Sequence, residues 1–418
     1  MSFWPQWEAF AAWWRTRRLS RMLKTRADIA AWQDRQLTQL LHDALPRMQF
    51  YRDVRATGLE GLPVIDKHLL MSRFADFNLP RITADAGWAA LQTGGRVGRF
   101  HVGASTGTSG NRGLYVISEA ERWRWLGTMV AKTMPQLRRA RIALILPRDS
   151  SLYAAARGGL LKLRFFDLHQ GLPACAEGVR ALDPDTLIAP PKVLRWLSDH
   201  GGPLLRVRHV FSAAEVLDPR DREIIEGRFG VTVREIYMAT EGLLGVACEH
   251  GTLHLCEDCV KFEYEQPVPG SELVTPIITD FSRQTQAMVR YRMNDLLRLR
   301  PDPCPCGSPL QAIAQVEGRM DDLLHLPGPS GVITVTPDVM RNAIVGADNG
   351  IDDFRLVQTA ANRLELCLTS APAAEAAKAA LEPVLRAMGA NATIDVTILP
   401  VLEVSARKLR RVERRWQP

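Results

Sequence analysis

Between residues 100 and 300 the chain places short apolar bursts at intervals, RIALILP, KLRFFDL, DTLIAPP, VRHVFSA and VREIYMA, and separates them with polar or helix-forming stretches. Strands threaded by helices in this way make an α/β domain. Residues 1–56 read as helical, with Trp4, Trp7, Ala11 and Trp14 on one face and a second periodic set, Leu37, Leu40, Leu41 and Leu45, before Pro46. From 253 to about 300 the text changes to strands joined by turn residues (LHLCEDCVKFEYE, SELVTPIIT, MVRYRMN), which predicts a smaller β subdomain at about 250–310.

After GRMDDLL the expected order is a strand at 332–336, a helix at 337–345, strands at 354–359 and 363–369, a helix at 373–388 and a strand at 393–399. This is a compact α+β unit with the order of a ferredoxin-like split βαβ. The domain break falls near 320, giving a large domain over 1–320 with mixed sheets and a small one over 321–418. Length demands the same, since 418 residues exceed the roughly 250–300 at which one core stops growing.

Hydrophobic residues at 46% and charged residues at 24% exclude a largely disordered chain. No apolar run approaches the ~18 residues of a membrane span. The net charge of +7 is concentrated in two places, Arg15, Arg17, Arg18, Arg21, Lys24 and Arg26 near the start and the run from Arg407 to Arg415 near the end. The body between them is mildly acidic, so the continuous basic stripe of a nucleic-acid surface is absent. Seven cysteines, five of them between 248 and 306, point to a metal-like cluster in a reducing compartment and not to a disulfide framework. With no signal-peptide order at the start, a cytoplasmic location is expected.

Ser105-Thr106-Gly107-Thr108-Ser109-Gly110 packs hydroxyls and glycines into one short stretch. Glycines let backbone N–H groups turn inward and hydroxyls add donors, so such a loop can wrap a polyphosphate, although the spacing and lysine of a Walker loop are missing. Downstream come Ser212-Ala213-Ala214-Glu215, then Tyr237-Met238-Ala239-Thr240-Glu241, Arg290-Tyr291-Arg292-Met293-Asn294-Asp295 and Gly318-Arg319-Met320-Asp321-Asp322. In this order they resemble the core motifs of the adenylate-forming superfamily of acyl-CoA synthetases, adenylation domains and luciferases. The likeness is strongest to the short branch of phenylacetate–coenzyme A ligases and deazaflavin-adenylating synthetases, which share a helical start, a lysine-free phosphate loop and a CPCG segment.

The resemblance implies roles. Ser105 to Gly110 would hold the outer phosphates of ATP, and Thr240 and Glu241 would face the α-phosphate and Mg²⁺, a carboxylate being what a hard cation takes. Tyr237 would stack on adenine with Glu215 at its rim. Asp295 would accept from the ribose hydroxyls beside Arg319; the plain alternative is a strand-end salt bridge of Asp295 with Arg290 or Arg292. Asp321 would be the hinge of a swinging C-terminal domain. Lys408 would deliver the adenylating charge, although Arg407 stands where the family has glycine and Arg410 or Arg411 compete for the register. Tyr153, Ser212, Ala213 and Ala214 would line an acyl pocket, whose small alanines suit a flat aromatic acid.

The implied reaction forms an acyl-adenylate from a carboxylic acid and ATP, then a thioester with coenzyme A or the pantetheine of an acyl carrier protein. Two other readings stand beside it: a nucleotidyltransferase that adenylylates a hydroxyl and stops, and a non-catalytic nucleotide- or acyl-binding relative.

Two quartets compete for a structural zinc. Cys256 and Cys259 with Cys304 and Cys306 is the plain motif reading, but on a strand residues three apart face opposite ways. Cys248 and His254 with Cys304 and Cys306 matches the related ligases. The first helix, with Trp4, Trp7, Phe10 and Trp14 ahead of six cations, has the composition of an interfacial segment; helices in related enzymes pack on their own domain, so the aromatic face is expected to be mostly buried and membrane binding weak or absent.

Overall fold

The computed structural model describes residues 4–105, 112–136, 138–147, 161–204, 206–348, 350–351, 353–399 and 410–417, with the side chains of Trp4 and Pro5 also outside the described set. The chain forms two compact units. The first holds Met1–Glu265, Pro276–Met293 and Leu299–Ala314; the second holds Gln266–Thr275, Asn294–Arg298 and Gln315–Pro418.

In the first unit the five apolar bursts become the strands Leu161–Asp167, Ala140–Leu146, Thr186–Ala189, His209–Ala213 and Val233–Ala239, side by side in that order and all parallel. Gly242–Ala247 and Leu253–Leu255 extend the sheet antiparallel. Helices Leu172–Leu182, Pro191–His200 and Pro219–Phe229 lie in the crossovers. Their apolar faces and the strands share one core that includes Ile145, Val179, Leu187, Leu194, Val210 and Ile225. The inner strands Ala140–Leu146 and His209–Ala213 are buried along consecutive residues, as a parallel sheet covered by helices requires, whereas the edge strand Leu161–Asp167 alternates. Pro219 sits at the first turn of its helix behind Asp218, whose carboxylate accepts from the Arg220 N–H and so supplies a cap.

The first helix, Trp4–Met22, crosses the helix Glu119–Thr133 at Gly127. Its small face makes the contact: Ala12 and Leu19 are buried, and Thr16 Oγ1 lies 3.5 Å from Thr128 Oγ1. This corrects the expected burial of the aromatic face, because Trp7, Phe10 and Trp14 are 64%, 46% and 52% exposed. The reason is steric. A glycine facing Ala9 and Ala12 lets two backbones approach, and bulky rings on that side would hold them apart. The second helix, Arg26–Gln39, begins with a capping box between Thr25 and Asp28. Arg26 then reaches Glu257 with two hydrogen bonds of 2.5 and 2.8 Å.

The second unit carries a four-stranded sheet in the order Thr393–Ile398, Arg363–Leu368, Arg355–Ala360, Val412–Arg414, with helices Pro337–Ala347 and Ala371–Ala387 closing its core over Leu356, Leu366, Met340, Ile344 and Leu381. The elements expected from sequence form, but the first strand is used differently. Gly331–Val335 pairs with Leu324–Gly328 in a hairpin, and Val412–Arg414 takes the fourth place in the sheet, parallel to Arg355–Ala360. Gly328 and Gly331 close a tight turn that makes this local pairing available. Arg298 joins the short inserted segments to the rest of the unit, donating to Glu317 at 3.0 Å, Asp338 at 2.7 Å and Glu272 at 2.7 Å, while Arg341 donates to the other oxygen of Glu317 at 2.6 Å. No helix among the described residues is long and apolar enough to cross a membrane.

The crossing at Gly127 makes a direct prediction. A Cβ there would lie 2.0 Å from the Ala9 carbonyl oxygen. Replacing a helical glycine by alanine ordinarily gains about 1 kcal/mol, whereas overpacking costs about 1–3 kcal/mol. Gly127→Ala is therefore expected to lower the urea midpoint and to speed tryptic cleavage in the Arg15–Arg21 segment. Equal or greater resistance would contradict the close crossing.

Candidate functional site

Two neighbouring parallel strands end at the same edge of the sheet, and each carries one of the motifs singled out from sequence. Ser212 and Ala213 close the strand His209–Ala213 and are buried; Thr240 and Glu241 follow the strand Val233–Ala239, in register through Ala213 and Ile236. The carboxyl ends of parallel strands are where α/β sheets place ligands, because the following loops splay apart there. Ala214 turns the chain with φ of 71°, a left-handed conformation unusual for a residue with a Cβ. The next residue, Glu215, is nearly fully buried and pairs with Lys192 Nζ at 3.0 Å, at the start of the helix Pro191–His200. Lys192 was not legible as a site residue, since nothing in its local text separates it from a helix-surface lysine.

The turn Thr240–Glu241 is held from behind by a polar cluster that sequence reasoning also missed. Arg283 donates to the Thr240 carbonyl at 2.6 Å, its guanidinium lies 5.7 Å from the Tyr115 ring centroid, and its Nε is 3.9 Å from Asp280. Asp280 is buried and accepts the Ser282 N–H and O–H at 2.7 and 2.6 Å. Burial pushes its carboxyl up, against the pull of Arg283 and Ser282. Gly242 follows Glu241 with φ of 154°, and a Cβ there would lie 2.9 Å from Asp280. Residues 282–286 then run to the strand Leu114–Ile117, where Gln286 accepts the Val116 N–H at 2.8 Å.

That strand leads back to the Ser/Thr/Gly stretch. Ser105 closes its neck, pairing backbone N–H to the Gly113 carbonyl and accepting the Gly113 N–H on Oγ, both at 2.8 Å. Thr106, Gly107, Thr108, Ser109 and Gly110 lie outside the described residues, as do Tyr153 and Lys408. Tyr237 stands on the strand Val233–Ala239, two residues before its end.

In the second unit Asp295 opens the strand Asp295–Leu299, and Arg319 Nε lies 3.9 Å from its carboxylate. The two residues expected at one sugar are thus neighbours. Arg290 and Arg292 instead form bidentate pairs with Glu263 and Glu265. Asp321 lies in the turn Met320–Asp322 and accepts from Asn294 Nδ2 at 2.7 Å. Asp322 is buried against Arg410 at 3.2 Å, and burial lifts its carboxyl to about 6.

Away from these motifs, one ligand atom from each of Cys248, His254, Cys304 and Cys306 lies within 4.8 Å of every other. Cys248 and Cys304 sulfurs are 3.7 Å apart, and Cys306 Sγ is 3.4 Å from His254 Nε2. A zinc tetrahedron with bonds of about 2.3 Å to sulfur has edges of about 3.7 Å, so the set has the size of a closed four-ligand site. His254 Nδ1 lies 3.1 Å from the Leu310 carbonyl, which fixes the ring with Nε2 toward the sulfurs. Cys256 and Cys259 belong elsewhere. They stand in a turn closed by the Cys259 N–H on the Cys256 carbonyl at 2.9 Å, not on a strand. Beside them Lys132 donates to both oxygens of Asp258 at 2.7 Å; burial raises the Cys256 thiol to about 12.

No protein-family profile matches the chain. A phenylacetate–coenzyme A ligase of Pseudomonas putida is 30% identical over 169 residues, 36% of this chain, and the match spans 37% of that protein's length. A 2-hydroxyisobutyryl-CoA ligase in its postadenylation state superposes with a TM-score of 0.71 at 18% identity, over 94% of this chain and 91% of that one. An anthranilate CoA ligase gives 0.50 at 13% identity, over 73% and 64%. The fold of this chain is that of the adenylate-forming ligases, the superfamily its ordered motifs resemble.

Proposed function

We propose that this protein activates a carboxylic acid, of aromatic type, with ATP and passes the acyl group to the thiol of coenzyme A or of a carrier protein. One observation carries the reading: Ser212–Glu215 and Tyr237–Glu241 meet at the carboxyl ends of two adjacent parallel strands, with Arg283 bracing the second motif. Each motif alone is an ordinary loop. Together, at that edge, they supply a ring to stack on a base, hydroxyls for phosphate and a half-buried carboxylate.

In the first half-reaction a substrate carboxylate oxygen attacks the α-phosphorus, the bond to the bridging oxygen breaks, and pyrophosphate leaves with that electron pair. Thr240 donates its hydroxyl to the α-phosphate, and Ser105 to Gly110 hold the leaving phosphates. Glu241 would hold Mg²⁺, whose charge would offset that of the triphosphate. Asp295 and Arg319 position the ribose. In the second half-reaction a thiolate attacks the acyl carbon and AMP departs as the leaving group. Lys408 stabilises only the first transition state, and the C-terminal segment turns about Asp321 between the two.

The test is acid-dependent ATP–pyrophosphate exchange across aryl, hydroxyaryl and aliphatic acids, followed by a search for thioester with coenzyme A and carrier proteins. Exchange that depends on an acid, with AMP released on adding the thiol, is expected. AMP left bound to a hydroxyl product would mark a nucleotidyltransferase, and no exchange with any acid would favour a non-catalytic relative. Lys408→Ala should lower exchange by roughly 10²–10³ while sparing thioester formation from synthetic acyl-adenylate. Arg410→Ala is a poor control for that register, because it strands the buried Asp322. Breaking such a pair costs about 3–5 kcal/mol, and Arg410→Ala/Asp322→Asn is expected to recover most of that stability in urea unfolding. If the double variant is no more stable than Arg410→Ala, the pair does not hold the tail.

We also propose that Cys248, His254, Cys304 and Cys306 hold a structural zinc. Four protein ligands leave no open position, so the metal would bind no substrate. About one zinc per chain is expected in protein purified without added metal, and Cys304→Ser/Cys306→Ser should lose both the zinc and stability. Retention of zinc in that variant would contradict the assignment.

A further inference from the structure

The first helix presents to solvent the face opposite its packed one. Trp7, Phe10 and Trp14 follow one another at three and four residues, which on a helix makes a single stripe, and all three are exposed. Trp7 and Phe10 rings lie 6.0 Å apart. Arg18 and Arg21 are exposed on the same side, Arg15 is exposed on the flank, and the Arg18 guanidinium lies 5.4 Å over the Trp14 ring. No acidic residue stands between Arg15 and Arg26. Glu8 is turned toward Arg124 at 3.2 Å, so the carboxylate within this helix is spent on the packed side.

We propose that this stripe docks on an anionic lipid surface, with the rings at the level of the head groups and the arginines against lipid phosphates. The choice of occupant follows from charge. Two copies of the chain meeting through the stripe would set two net-cationic faces together, whereas an anionic bilayer complements them. Trp and Phe beside Arg are the residue types that partition into a bilayer interface, where an apolar ring and a cation are both accommodated. The helix carries too many charges to cross, so it lies along the surface. The packed face, through Ala12, Thr16 and Leu19, stays on the protein, which makes the helix a rigid outrigger and not a free tail. This inference is independent of the catalytic reading.

The experiment is co-sedimentation of the full chain with phosphatidylcholine vesicles, with and without phosphatidylglycerol. Binding to the anionic vesicles is expected to be at least about tenfold tighter and to weaken at high salt. Trp7→Ser/Phe10→Ser/Trp14→Ser should lose it, and Arg15→Glu/Arg18→Glu/Arg21→Glu should lose the preference for anionic lipid, both with the urea unfolding midpoint unchanged. Brominated lipid should quench the tryptophan fluorescence of the unaltered protein, which decides the matter even if a variant misfolds. No binding and no quenching would overturn the proposal. So would binding that survives the triple aromatic change, or a wild-type dimer that the same change dissociates, which would make the stripe a self-interface.

Discussion

The carboxylate of Glu121 is the point on which the first unit's site depends. It sits at the third position of the helix Glu119–Thr133 and is buried, yet it accepts from five donors: the N–H and O–H of Ser118, the N–H of Gln284, and the N–H and O–H of Thr285. Burial alone would raise this acid, but the donors outweigh it and hold it below the usual range. A carboxyl depressed in the folded state stabilises the fold at neutral pH, and that contribution is lost as pH falls through its folded value. The same group caps a helix and fixes the segment 282–286. That segment in turn carries Arg283 to the Thr240 carbonyl and Gln286 to the Val116 N–H. A helix cap, the turn Thr240–Glu241 and the strand Leu114–Ile117 are thus aligned by one buried charge.

This arrangement explains what sequence could and could not convey. The inner bursts were legible because strand burial in a covered parallel sheet is written in consecutive residues, as in Ala140–Leu146 and His209–Ala213. Ser212–Glu215 and Tyr237–Glu241 were legible because each motif is also contiguous. Glu121, Asp280, Arg283 and Lys192 were not, since their significance lies in partners distant along the chain and their local text is that of any helix start, strand end or turn. The aromatic stripe failed for a related reason. Its exposure is decided by Gly127 on another helix, which accepts the small face of the first helix in its place. In the second unit the individual elements were readable, while the choice of Val412–Arg414 over Gly331–Val335 as sheet partner was a contest between non-local and local pairing.

The cysteines show how geometry separates residues that spacing alone confuses. Cys256 and Cys259 look like half of a zinc motif, but their turn places them beside the ion pair of Lys132 and Asp258. Cys248 and His254, less regular in sequence, lie across adjacent antiparallel strand ends and meet the Cys304–Cys306 turn. Zinc there would act as a staple on the short strands after the parallel sheet.

The central claim is that the acid attacks phosphorus, and the fate of its oxygen tests that most directly. With a substrate acid labelled in its carboxylate by heavy oxygen, the account predicts that the AMP released on thioester formation carries one labelled oxygen, because the carboxylate oxygen bonded to the α-phosphorus stays with phosphorus when the acyl group leaves. Unlabelled AMP, or ADP with labelled inorganic phosphate, would contradict it.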